Sequence, residues 1–301
     1  MKFFKVSPES KKSYPVTEKN FTEALLKNDQ LNQNGKQYGV CPYCDNPVQL
    51  IGIYKKLKVS TYGRHVSENV EGVARLNRQS YDYCPYNSHH RNYERNFRMD
   101  MVTERELNIF RLIRDNYDRV IYILKKETGL YYSNQLAREI LNQVYRSEIW
   151  MYPGISEYNF PWIILYMYGP QRLYKRLVQK DSVLHQILES NHIVFEPYKN
   201  SDYDIVVAGP NHSYMDWVYS FLQHNRRIRD DDSLAEYVVP VVAEQDIEEP
   251  DIRWQGRMDI QTDYFSNIAN HEKSESYRNK DLLEIAKEVM AQEPVIGQRR
   301  L

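Results

Sequence analysis

Gly39-Val40-Cys41-Pro42-Tyr43-Cys44 and, well downstream, Tyr83-Cys84-Pro85-Tyr86 contain all three cysteines of the chain. The first is a Cys-x-x-Cys pair and the second repeats its Cys-Pro-Tyr opening. Thiolates at i and i+3 on a tight turn can point at one metal ion. A structural zinc needs four such ligands, at about 2.3 Å for sulfur and about 2.0–2.1 Å for nitrogen. Three are supplied by Cys41, Cys44 and Cys84. The fourth must be a histidine or a carboxylate, and the stretch from Gly39 to Arg91 offers His65, His89 and His90. His65 is favoured, because it lies between the two cysteine motifs and Gly63 can make a turn that aims it inward. His89 and His90 are the alternative, five and six residues after Cys84.

Three rival readings are weaker. As small buried apolar residues, three cysteines have no reason to recur in Cys-Pro-Tyr. A redox pair needs a strand–Cys-x-x-Cys–helix setting, whereas Pro47, Val48, Leu50, Ile51 and Ile53 continue as a strand. Disulfides are disfavoured by the odd cysteine number.

The stretch weakly resembles the metal-binding module of HNH endonucleases, through the order His65, Gly72, Asn77, Cys84, Asn87, His89. The resemblance implies a ββα-metal core with His65 as general base. It also implies His89 or His90 as ligand to a catalytic divalent cation such as magnesium. Arg64 stands where that family usually has an acidic residue, and Cys84-Pro-Tyr-Asn87 lacks a second cysteine.

Around the motif the chain reads as α+β, with a small zinc module, a helical middle and a mixed C-terminal part. The expected divisions are 1–100, 101–192 and 193–301. Phe3-Phe4 and Val6 suggest a short strand, and Thr17 precedes a helix. Glu71 to Tyr83 reads as another helix. Thr103-Glu-Arg-Glu106 is a capping box before one long helix through Leu107, Phe110, Ile113, Tyr117, Val120, Ile121 and Leu124, with Gly129 as its C-cap. Ser133 opens the next, and Pro161 another. Gln171 to Val178 reads as helical, Asp181 as a cap, and Ser213 as the cap of a helix carrying Trp217, Val218, Phe221 and Leu222. Ile193–Phe195 and Ile205–Val207 read as strands. Tyr237–Val242 does too, demoted to an edge by Pro240. The last helix is expected over Lys280 to Gln292.

The formal net charge is −1 over 301 residues, so a nucleic-acid surface must be a local patch. The segment after the cysteines supplies one: Arg91, Tyr93, Arg95, Phe97 and Arg98 combine phosphate-binding cations with rings that stack on bases. The 26 tyrosines suit such a surface or a protein interface. No apolar run approaches the ~20 residues of a membrane span, and cytoplasm is the expected compartment. Asp230-Asp231-Asp232 could bind a divalent cation through hard oxygens, but such a run reads first as a solvated loop or helix N-terminus. Asp202-Tyr-Asp204 beside Ile205-Val-Val resembles a metal-dependent nuclease strand, without the acidic-x-Lys partner strand, and Arg226-Arg227-x-Arg229 reads as a helix C-cap. No Walker A loop, dinucleotide fingerprint or nucleophile elbow is present. The sequence thus predicts a zinc-knuckle protein that binds DNA or RNA, with a metal-dependent nuclease or a protein-docking component as alternatives.

Overall fold

The structure is a computed structural model; it describes residues 1–10, 12–54, 60–87, 94–231, 233–245, 250–261, 264–265 and 278–299. It is mixed α+β, with antiparallel sheets. By contacts the chain divides into two units. Met1–Arg105, Arg226–Ala235 and Arg299–Leu301 form the first, and Glu106–Asn225 with Glu236–Gln298 form the second.

The first unit is built on a curled sheet. Strands β1 (Phe3–Lys5) and β2 (Ser13–Pro15) form a hairpin, and α1 (Glu18–Leu25) follows, capped by Thr17 accepting from the Asn20 N–H. Then come β3 (Asn32–Gln33), β4 (Lys36–Val40), β5 (Pro47–Ile51) and β6 (Tyr62–His65). The strand order is β2-β1-β4-β5-β6, with β3 paired to β4. Alternation turns Phe4, Tyr14, Val48 and Leu50 to the core, where Phe21 of α1 meets the Phe4 ring at 6.3 Å. Met1 reaches the far strand: its ammonium donates to Gly63 O (3.1 Å) and its carbonyl accepts from Gly63 N–H (2.8 Å).

Gly63 was expected to make a turn, but it lies inside β6. A Cβ there would sit 3.1 Å from the Met1 side chain, which would have to give by a few tenths of an ångström. The helix expected over 71–83 shrinks to α2 (Arg78–Asp82), capped by Asn77 accepting from Ser80 N–H. Upstream, Val70 and Ala74 bridge across a tight turn with Gly72 at φ +71°, which stops a helix from starting earlier.

In the second unit the expected long helix is two, α3 (Glu104–Asp115) and α4 (Tyr117–Thr128). They are separated at Asn116, whose φ of −127° and ψ of 24° are not helical. Gly129 closes α4 at φ +71°. Helices α5 (Asn134–Arg146), capped by Ser133, and α6 (Phe160–Tyr168) follow. Every residue of α6 from Phe160 to Met167 is buried, as expected for a helix apolar on all sides. It packs on α4 and α5.

Gln171–Val178 is not helical; it holds β7 (Gln171–Arg172) and β8 (Leu177–Gln179). The cap of α7 (Val183–Ser190) is Ser182 and not Asp181, which takes φ +61° just before it. Strands β9 (Val194–Pro197) and β10 (Tyr203–Ala208) join β8 in the order β8-β10-β9. The helix expected after Ser213 is instead β11 (Trp217–Ile228). Its apolar run fits either period, and pairing decides: β11 lies beside β12 (Leu234–Glu244) in the order β13-β12-β11-β7. The turn of this hairpin, Arg226–Ala235, belongs to the first unit.

β12 is therefore internal. Pro240 is tolerated because it falls where the partner of β12 changes from β14 (Met258–Asp259) to β13 (Asp251–Gln255). Finally α8 (Lys280–Val289) packs on α4 and α5. Among the described residues no helix is long and apolar enough to cross a membrane.

Candidate metal centre

Cys41 and Cys44 flank the turn between β4 and β5, His65 ends β6, and Cys84 follows α2. Register puts His65 opposite Val48 on β5, beside the cysteine turn. The three Sγ atoms and a His65 ring nitrogen all lie within 4.8 Å of one another. Cys41 Sγ is 3.8 Å from Cys84 Sγ, and Cys44 Sγ is 3.3 Å from His65 Nε2. A tetrahedron with zinc–sulfur arms of about 2.3 Å has sulfur–sulfur edges of about 3.8 Å. The residues therefore fit a Cys3His zinc ion, and all four positions of the tetrahedron are filled by protein. The three cysteines are buried and His65 is half-buried.

The electrostatics agree. Burial pushes the Cys44 and Cys84 thiols well above the ordinary thiol range. Burial acts on Cys41 as well, but hydrogen bonds from Cys44, Cys84 and His65 outweigh it and hold that thiol low. Three dry thiols cannot all ionise side by side. A divalent cation removes the conflict by binding all three as thiolates.

The surrounding shell is closed by a residue that the sequence reading passed over. Asn46 is fully buried. Its Nδ2 donates to Cys44 O (3.2 Å) and Ser80 Oγ (2.9 Å), and its Oδ1 accepts from Asn77 N–H (2.6 Å). Its carbonyl accepts from Cys41 N–H at 2.8 Å. One side chain thus ties the first cysteine turn to the helix that delivers Cys84. Asp45 takes φ +57° to let the chain reverse there, a conformation Asp tolerates, and Lys5 Nζ bonds its carboxylate at 2.8 Å. The Tyr81 ring stands edge-on to His65 at 5.2 Å. Arg226, from the hairpin turn, lies over the Tyr43 ring at 4.6 Å and donates to Tyr83 O. The available signal was an Asp-Asn pair directly after Cys44, suited to a turn.

His89, His90, Arg91 and Tyr93 lie outside the described residues, as do Lys55, Lys56, Lys58 and Asp232. Arg95 is half-buried and Phe97 packs on Tyr83 at 4.8 Å. Arg98 is 8 % exposed and donates to the carbonyls of Arg95 and Phe97, so it staples its own loop. Asp204 meets His185 at 3.0 Å and Lys180 at 3.5 Å. Asp231 accepts from Ser233 within the hairpin turn.

No family model, curated protein or solved structure matches the chain.

Charge is unevenly divided. The first unit carries 22 Lys and Arg against 14 Asp and Glu, and the second 18 against 27. The near-zero total conceals +8 on one unit and −9 on the other.

Proposed function

We propose that the chain is a nucleic-acid-binding protein whose basic first unit is held together by a structural zinc at Cys41, Cys44, His65 and Cys84. The segregation of positive charge onto the unit that holds the site carries this reading, since such asymmetry favours a polyanionic partner. A structural role for the ion is supported by four protein donors, which leave no position open for water or substrate. The ion's contribution is to join the β4–β5 turn, β6 and the end of α2. A nuclease of the HNH kind needs His65 as a free base, and here the ring faces three thiols. Arg91, Tyr93, Arg95 and Phe97 belong to the proposed contact segment.

Titration of a labelled single-stranded oligonucleotide at increasing salt tests the proposal. Affinity should fall with a slope of about −0.7 per phosphate contact. Absence of binding at low salt contradicts it and leaves a protein as the partner to be sought.

A further inference from the structure

We infer that single-stranded nucleic acid docks on the outward face of the first unit's sheet, at β5 and β6; this rests on the nucleic-acid reading above and names its surface. Register places Tyr38, Gln49 and Arg64 in one cross-strand row, and Ile51 opposite Tyr62 in the next on the same face. The alternate positions, Val48 and Leu50, are in the core. Arg64 is exposed, and Gln49, Ile51 and Tyr62 are half-buried. Over β4 and nearer the cysteine turn the same face is closed, since Tyr38, Val40 and Pro47 are buried. The open part is therefore the β5–β6 end.

The chemistry of that end fits one partner. None of the six described strands of this sheet contains Asp or Glu, and Lys36 and Arg64 are its exposed cations, since Lys5 is buried against Asp45 and His65 faces the cysteines. Arg64 donates to Gln49 Oε1 at 3.0 Å. Among the described residues that is the one hydrogen bond of its side chain, so the rest of the guanidinium fork can meet a phosphate or a base edge. The bond also holds the Gln49 amide beside it, an acceptor–donor pair suited to base edges. Tyr62, on the edge strand, supplies a ring for an unpaired base. A duplex keeps its bases stacked and offers no face to that ring, so the partner is a single strand.

The test uses the full chain and ~20-nucleotide fluorescent oligo-dT and oligo-U at low salt. Tyr62→Ala should weaken binding about tenfold and Tyr62→Phe should not, because stacking needs the ring and not the hydroxyl. Arg64→Ala should weaken binding and flatten the salt slope by about 0.7. Zinc content and thermal unfolding certify that each variant is folded. Should Tyr62→Ala fail to fold, Arg64→Ala, at an exposed position, carries the test. Binding to dT and U alike, or to U alone, fits the surface equally and separates DNA from RNA. Wild-type binding that survives unchanged in folded Tyr62→Ala and Arg64→Ala overturns the surface but spares the nucleic-acid reading. No wild-type binding to either oligonucleotide overturns both.

Discussion

Cys41 Sγ and Cys84 Sγ lie 3.8 Å apart although 43 residues separate them in sequence. That is nearly twice a disulfide bond of about 2.05 Å, and it matches the edge of a zinc tetrahedron. Two elements bring them together: the reversal between β4 and β5, and α2 with its Asn77 cap. Asn46 links the two. Cys41 and Cys84 thus meet where α2 closes on the cysteine turn of the sheet.

Cys84→Ser removes the ligand that ties α2 to the cysteine turn. Structural zinc contributes folding energy directly, about 10–16 kcal/mol apparent in small zinc modules. Zinc content should fall from one per chain to near zero, and limited proteolysis should cut within residues 1–105. A variant that keeps its full zinc complement and protease resistance contradicts the ligand assignment.

Asn46→Ala leaves Asn77 N–H and Cys41 N–H in place but removes three side-chain hydrogen bonds in a dry site. The cost should be about 1–3 kcal/mol for each buried group left unpaired. Loss of such a support typically weakens metal affinity by about 10–100-fold. Competition against a chelator of known affinity measures this. Unchanged affinity shows that the cysteine turn holds its shape without Asn46.

The legible parts of the sequence were those fixed by local chemistry. The Cys-Pro-Tyr repeats announced the thiols, and the helix starts at Thr17 and Ser133 and the Gly129 cap were visible because helix ends are set by short-range hydrogen bonding. Trp217–Leu222 was misread because its apolar residues fit helix and strand alike, and only β12 decides between them. The break at Asn116 was hidden because the apolar spacing runs straight through it. Asn46 was invisible for a related reason: its partners Asn77 and Ser80 come near only once the sheet has formed. The charge division was missed because a chain total averages two units of opposite sign.

Glu293 receives Arg111 and Arg114, at 2.7 and 2.6 Å. Hydrogen bonds from Arg111 and then Arg114 pull its carboxyl down to about 2. A depressed folded-state value stabilises the fold above the ordinary glutamate value near 4.5, and that stability is lost as pH falls toward 2. The group is partly exposed, so the effect is screened and small. Glu293→Gln should flatten the acid limb of the stability curve between about pH 4.5 and pH 2. A limb of unchanged steepness removes Glu293 as a contributor.

Asp118 is the buried anchor of α8. It accepts from Arg278 at 2.7 and 3.0 Å and from Asn279 N–H at 3.1 Å, just where α8 begins. Arg278 is half-buried and also donates to Asp115 O, so removing Asp118 should cost less than the loss of one partner of a fully buried pair, about 1–3 kcal/mol. Asp118→Ala should shift the denaturant midpoint accordingly. A shift under about 1 kcal/mol would place the pair with ordinary surface bridges.

X-ray absorption at the zinc edge on the purified, metal-loaded chain tests the central claim most directly. The four residues predict one zinc per chain, with three sulfurs at about 2.3 Å and one nitrogen at about 2.0 Å. The His65→Ala spectrum should lose the imidazole signature and keep three sulfurs. A first shell dominated by oxygen and nitrogen, or a folded chain that takes up no metal, contradicts the account.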